Sequence, residues 1–178
     1  VADDAQGATE AAVPVAEIQA VDRGIFRAYD IRGVVGRELT PQVAAWIGQA
    51  IGTVMAEQGL TDIVVGRDGL LSTPAASNLI RQRKAAGGII LSASHNPGGP
   101  DGDFGIKYNV ANGGPAPEGV TERIYARTRD LSQYRISDAQ APDLSQPGTT
   151  RIEAMDVEIV DPVADYAALM ERLFDFDA

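Results

Sequence analysis

The run Gly87-Gly88-Ile89-Ile90-Leu91-Ser92-Ala93-Ser94-His95-Asn96-Pro97-Gly98-Gly99-Pro100 decides how this chain is read. An apolar, strand-like segment ends in small residues, and Asn-Pro with two glycines then forces a tight, exposed turn. Just beyond lies Asp101-Gly102-Asp103-Phe104-Gly105-Ile106-Lys107, so a serine, the only histidine, an asparagine and a lysine fall close together. A serine hydroxyl delivered onto such a turn suits acceptance and release of a phosphoryl group. That chemistry asks the protein mainly for positioning and positive charge. On local pattern alone, a serine that merely satisfies its own turn is an equally good reading.

Working outward, Thr61-Asp62-Ile63-Val64-Val65 reads as a strand stopped by Gly66. Thr73-Pro74 signals a helix start, and Gly87-Gly88 its end. Strand, helix and strand predict a right-handed βαβ unit with a parallel pair. Ligands of such sheets bind at the carboxyl ends of the strands, where Gly66-Arg67-Asp68-Gly69 and the Ser94 loop both fall. Upstream, Thr40 as cap, Pro41 at the first position and Gly59 past the end bound another helix, with Val43, Ile47, Ile51, Val54 and Met55 as its stripe. Downstream come a Gly/Pro loop over 109–117, a helix over 117–134 with Val120, Ile124 and Leu131 inside, and an irregular stretch over 136–150. A strand over 155–160 follows, and Asp161-Pro162 caps a last helix. The alternation predicts an α/β fold: a single three-layer-type domain with a mixed, partly parallel sheet. Residues 1–22, rich in Ala, Asp, Glu and Gln without durable period, read as a disordered or loosely packed tail.

Composition narrows the function classes. The chain has 178 residues, enough for one domain with a sizeable core. A net charge of −10 argues against non-specific nucleic-acid binding and against docking on an anionic membrane. An acidic protein that handles phosphates must gather its few cations in the site, and Arg32, Arg67 and Lys107 all lie in glycine-containing segments. With no cysteine and one histidine, thiolate chemistry, disulfides and a multi-histidine zinc site are excluded. No apolar stretch reaches the length of a membrane span, and no signal-peptide pattern opens the sequence, so a cytoplasmic location is expected.

Several longer runs resemble the first domain of the phosphohexomutases. Gly69-Leu70-Leu71-Ser72-Thr73-Pro74, Ala93 to Pro100, Gly102 to Lys107, Asn112-Gly113-Gly114-Pro115-Ala116-Pro117 and Val157-Glu158-Ile159-Val160-Asp161 are similar to the phosphoglucomutases specific for α-glucose phosphate. Phe26-Arg27-Ala28-Tyr29-Asp30-Ile31-Arg32-Gly33 and Val65 to Gly69 are instead similar to the bacterial phosphomannomutase/phosphoglucomutase branch. The resemblance implies interconversion of hexose 1-phosphate and 6-phosphate through a phosphoserine. On this chain that serine is Ser94, with His95 and Asn96 holding the phosphate or the attacking hydroxyl. Lys107 corresponds to the general acid/base lysine and Arg32 to an arginine that lies against the phosphoserine. Arg67 is a candidate phosphate contact, although an ion pair with Asp68 that shapes its loop is the stronger reading. Tyr29 is a candidate at the pocket wall.

The resemblance further implies Mg2+, bound in part through the Ser94 phosphate, and a hexose 1,6-bisphosphate as activator. The remaining metal ligands are expected from a second domain; Asp101 and Asp103 read as turn formers. The partners implied are small sugar phosphates. Residues 23–178 are expected to form the first domain, ending where the family's second domain begins, so domains two to four could act in trans. One strand–helix repeat of the mannomutase-like branch is missing between Gly69 and the serine loop, and Leu70 replaces an arginine. The chain thus reads as a join of two branches near Gly66–Leu70. A non-catalytic module without turnover of its own is the alternative function.

Overall fold

The computed structural model describes residues 21–27, 30–130 and 139–177. In chain order the elements are β1 (Ile31–Val34), α1 (Pro41–Glu57), β2 (Asp62–Gly66), α2 (Thr73–Gln82), β3 (Gly87–Ser92), β4 (Asp103–Val110), α3 (Glu118–Asp130), β5 (Gly148–Ile152), β6 (Met155–Val160) and α4 (Ala164–Leu173). The fold is α/β, with strands in two three-stranded sheets ordered β1-β4-β3 and β2-β6-β5.

The first sheet is antiparallel throughout, with Arg32 opposite Gly105 and Gly105 opposite Ser92. Because side chains alternate across a strand, Ile106 points to one face while Gly105 and Lys107 point to the other. Ile106 joins Ile25, Leu39, Val43 and Ile47 in the main core, so α1 covers that face. On the opposite face, a side chain at Gly88 would meet Ile80 of α2, and Ile90 is buried there. Helix, sheet and helix therefore form three layers around the first sheet. The far end of the α2-bearing face, where Ser92, Gly105, Arg32 and Lys107 converge, carries polar groups instead.

Helix α1 begins where its sequence signals it. The Thr40 hydroxyl accepts from Val43 N–H at 3.2 Å, Pro41 holds the first position, and Gly59 follows with φ +69°. Helix α2 is capped one residue earlier than expected, by Ser72 accepting from Ala75 N–H, and stops at Gln82 rather than at the glycines. In α3 the expected inward Ile124 is 41% exposed, while Leu131 and the end of the predicted helix lie outside the described residues. The last helix is capped by Asp161, whose carboxylate accepts from Val163 and Ala164 N–H at 2.9 and 3.0 Å.

Two expectations about strands need correction. The predicted parallel pairing of β2 with β3 does not occur: β3 pairs antiparallel with β4, and β2 pairs in parallel with β6. The 93–102 loop lets β3 fold back on its sequence neighbour, a closure that needs no crossover. β2 instead pairs with β6, whose Val157, Ile159 and Val160 are buried. Second, the end of the stretch read as irregular, 148–150, begins β5, whose Thr-rich, turn-flanked residues form a hairpin with β6. Of the tail expected over 1–22, Val21 packs against the main core and Asp22 accepts from Gly24 N–H at 2.8 Å; the rest lies outside the described residues.

Candidate phosphoryl-transfer site

The loop after β3 holds its serine in an unusual backbone state. Ser94 is exposed and has φ +61°, the left-handed region that costs a side-chain-bearing residue roughly 1–2 kcal/mol. Its N–H donates to the Ser92 hydroxyl at 2.9 Å, and Asn96 N–H donates to Ala93 C=O at 3.1 Å. These two bonds close a tight turn that turns Ser94 and His95 toward solvent. The glycines do the rest: Gly98 and Gly99 take φ +73° and +94°, and a side chain at Gly102 would collide with the Gly98 backbone. Val35 N–H donates to Gly102 C=O at 3.4 Å, which fastens the end of the loop to the segment after β1. Strained residues of this kind gather where backbone geometry serves a function.

Across the sheet from this loop is a compact charge cluster. The Asp30 Oδ2 atom accepts from Arg32 Nη2 at 2.7 Å, Arg32 Nε at 3.1 Å and Lys107 Nζ at 3.3 Å. The Asp30 side chain is 7% exposed, against 20% for Arg32 and 29% for Lys107. The carboxylate therefore lies beneath and the cations lie toward solvent. Gly105 makes the room, since a Cβ there would sit 3.3 Å from Asp30 Oδ2. Because Arg32, Gly105 and Ser92 stand opposite one another on successive strands, the cations share the face and the end of the sheet that lead into the Ser94 loop. The cluster itself sets one anion against two cations, and Asp103, two residues before Gly105 on β4, adds a carboxylate on the same strand face toward the loop.

Of the sequence-derived candidates, Ser94, His95 and Asn96 sit on the loop, and Arg32 and Lys107 on the adjoining sheet face. Arg67 does not join them. It begins a short 3-10 turn after β2, with Asp68 at 3.9 Å and Asp161 at 3.8 Å as its ion-pair partners. Asp161 is held below the ordinary carboxylate range by the Val163 and Ala164 N–H groups and, to a smaller degree, by the Arg67 charge. Tyr29 lies outside the described residues. Asp30 was not singled out from sequence, although Asp-x-Arg in a strand places both side chains on one face and so carried the signal. Among the described residues, no group of three or more His, Asp or Glu side chains could hold a metal ion.

The chain is an α/β domain with a left-handed serine on the loop after β3 and an arginine–aspartate–lysine cluster on the adjoining sheet face, and comparison with known proteins specifies its family. The family model for phosphoglucomutase/phosphomannomutase, alpha/beta/alpha domain I, matches residues 23–69 and 68–135. The chain belongs to this family. It is 60% identical over 123 residues to a phosphoglucomutase of Rhizobium radiobacter, covering 69% of this chain and 23% of that protein. It is 46% identical over 157 residues to a phosphoglucomutase of Aspergillus fumigatus, covering 88% of this chain and 28% of that protein. In structure it is similar to the Paramecium phosphoglucomutase pp63/parafusin in its open form, with a TM-score of 0.64 and 34% identity, over 96% of this chain and 35% of that one. The chain thus spans about a quarter of the length of these curated relatives. The two matched segments overlap at Asp68-Gly69, between β2 and α2.

Among the described residues, no helix is long and apolar enough to cross a membrane.

Proposed function

We propose that this chain carries the phosphoserine loop of a hexose-phosphate mutase, with Ser94 as the phosphoryl carrier. The observation that carries the reading is the left-handed, exposed Ser94 on a loop that opens beside the Arg32–Asp30–Lys107 cluster. In the proposed cycle, a hydroxyl of a hexose monophosphate attacks the phosphorus of phospho-Ser94. The bond from phosphorus to Ser94 Oγ breaks as the bond to the sugar oxygen forms, and a hexose 1,6-bisphosphate results. Return of the other phosphoryl group to Ser94 Oγ releases the isomeric monophosphate. The attacking hydroxyl loses a proton and the leaving oxygen gains one, and Lys107 would carry it. Arg32 would neutralise charge growing on the transferring group, with His95 and Asn96 as hydrogen-bonding contacts and Arg67 as a more distant phosphate contact.

Magnesium would supply charge stabilisation on the transferring phosphoryl oxygens. The Ser94 phosphate would be one ligand, and the remaining ligands would come from a further domain. The relatives are several times longer, and the reading therefore assigns this chain one part of the site, completed by further domains covalently or in trans.

Complementation tests the reading. A phosphoglucomutase deprived of its own first domain is mixed with this chain, and glucose 1-phosphate conversion is followed with magnesium. Conversion that needs both components and disappears with Ser94→Ala is expected. Absence of conversion in the mixture, with both components folded, makes the chain a non-catalytic module.

A further inference from the structure

The proposed reaction uses the cations of the charge cluster and leaves its anion unassigned. We infer that Asp30 is a positioning residue, holding Arg32 and Lys107 as one preorganised pair that receives a phosphate group from the solvent side. The inference rests on the mutase reading for its purpose, but its geometry stands by itself.

Two observations separate positioning from an incidental ion pair. The first is the order of exposure: the carboxylate is nearly buried and both cations cover it, so an incoming anion meets their outer edges. The second is the use of donors. Arg32 spends Nε and Nη2 on Asp30, which fixes the plane of the guanidinium and leaves Nη1 without a hydrogen-bond partner among the described residues. Lys107 spends one of its three donors. A planar fork anchored along one edge presents the rest in a fixed direction, the way a buried carboxylate behind a ligand group orients it. Without the carboxylate, two like charges that had shared one oxygen atom repel and separate.

The sign of one binding change decides the matter. On charge alone, replacing Asp30 by a neutral isostere makes the cluster more positive and tightens binding of an anion. On positioning, the same change disperses the cations and weakens it. The test titrates inorganic phosphate into the full chain and its Asp30→Asn and Asp30→Glu variants, reading the Arg32 Nε–H signal by NMR. In the unmodified chain phosphate is expected to shift that signal. In Asp30→Asn the signal loses its protection from exchange, phosphate affinity drops about tenfold, and Asp30→Glu recovers part of it. Unchanged or tighter binding in a folded Asp30→Asn variant overturns the inference. So does an Arg32 signal in the unmodified chain that is unprotected or blind to phosphate, a measurement that needs no variant to fold. The mutase reading is judged separately by Ser94 phosphorylation, so either can fail alone.

Discussion

The two sheets use the same charged residue types in different ways. In the β1-β4-β3 sheet, two cations share one oxygen of a nearly buried carboxylate, beside a serine held in a strained conformation. In the β2-β6-β5 sheet, acids and bases pair at the surface. Arg83 of the α2 C-terminus grips Glu158 through two bonds of 2.8 and 3.0 Å and touches Asp165, while Arg151 pairs with Asp156 at 2.8 Å. Exposed pairs of that kind tie elements together for little net energy. A buried, shared carboxylate is costly to desolvate and is kept only where its partners are fully arranged. The contrast sets a nearly buried, shared carboxylate on the first sheet against exposed, one-to-one pairing on the second.

Truncating the core beneath the site sheet should break that contrast most severely. Ile47→Ala removes a buried side chain that packs with Ile106, directly behind the Lys107 face. A loss of about 3 kcal/mol in denaturant unfolding is expected. Gly105→Ala is expected to cost about 2 kcal/mol, because its Cβ would press on the Asp30 carboxylate at 3.3 Å and on the Ser92 carbonyl at 3.4 Å. It should also release the Arg32 Nε–H signal, an effect that a purely structural lesson in the second sheet would lack. Thr40→Ala deletes the α1 cap and should cost about 1 kcal/mol, with no change at the cluster.

Arg83→Ala gives the smallest expected effect, about 0.5 kcal/mol, since both partners are about a third exposed. Its signature is in pH. Glu158 is held below its ordinary value of 4.5 chiefly by the hydrogen bond from Arg83. A depressed carboxylate contributes stability that is fully present above the ordinary value and is lost as pH falls through the folded one. The difference between Arg83→Ala and the unmodified chain should therefore shrink as unfolding is followed from pH 6 down through the acid range below 4.5. A difference that stays constant through that range would remove Glu158 from the explanation.

Much of this was legible in the residues. Helix α1 could be bounded from Thr40, Pro41 and Gly59 because caps and positive-φ glycines are local chemistry. The serine turn was legible for the same reason. Sheet partnership was not, since β2, α2 and β3 have the sequence of a parallel unit and only tertiary competition sends β3 to β4. The Thr-rich β5 was hidden because it has no buried face of its own and exists by pairing with β6. At the site, Ser94 was marked by its turn and, with Lys107, by the family resemblance, whereas Asp30 is identified by its contacts with both cations. Arg67 pairs with Asp68, the stronger reading of its loop from sequence, and with Asp161 beyond β6.

The most direct measurement is intact mass with peptide mapping of the chain before and after incubation with glucose 1,6-bisphosphate and magnesium. One phosphoryl group on Ser94, absent from Ser94→Ala, is the expected result. A folded chain that gains no phosphoryl group, or gains one on another residue, would contradict the assignment of Ser94 as carrier.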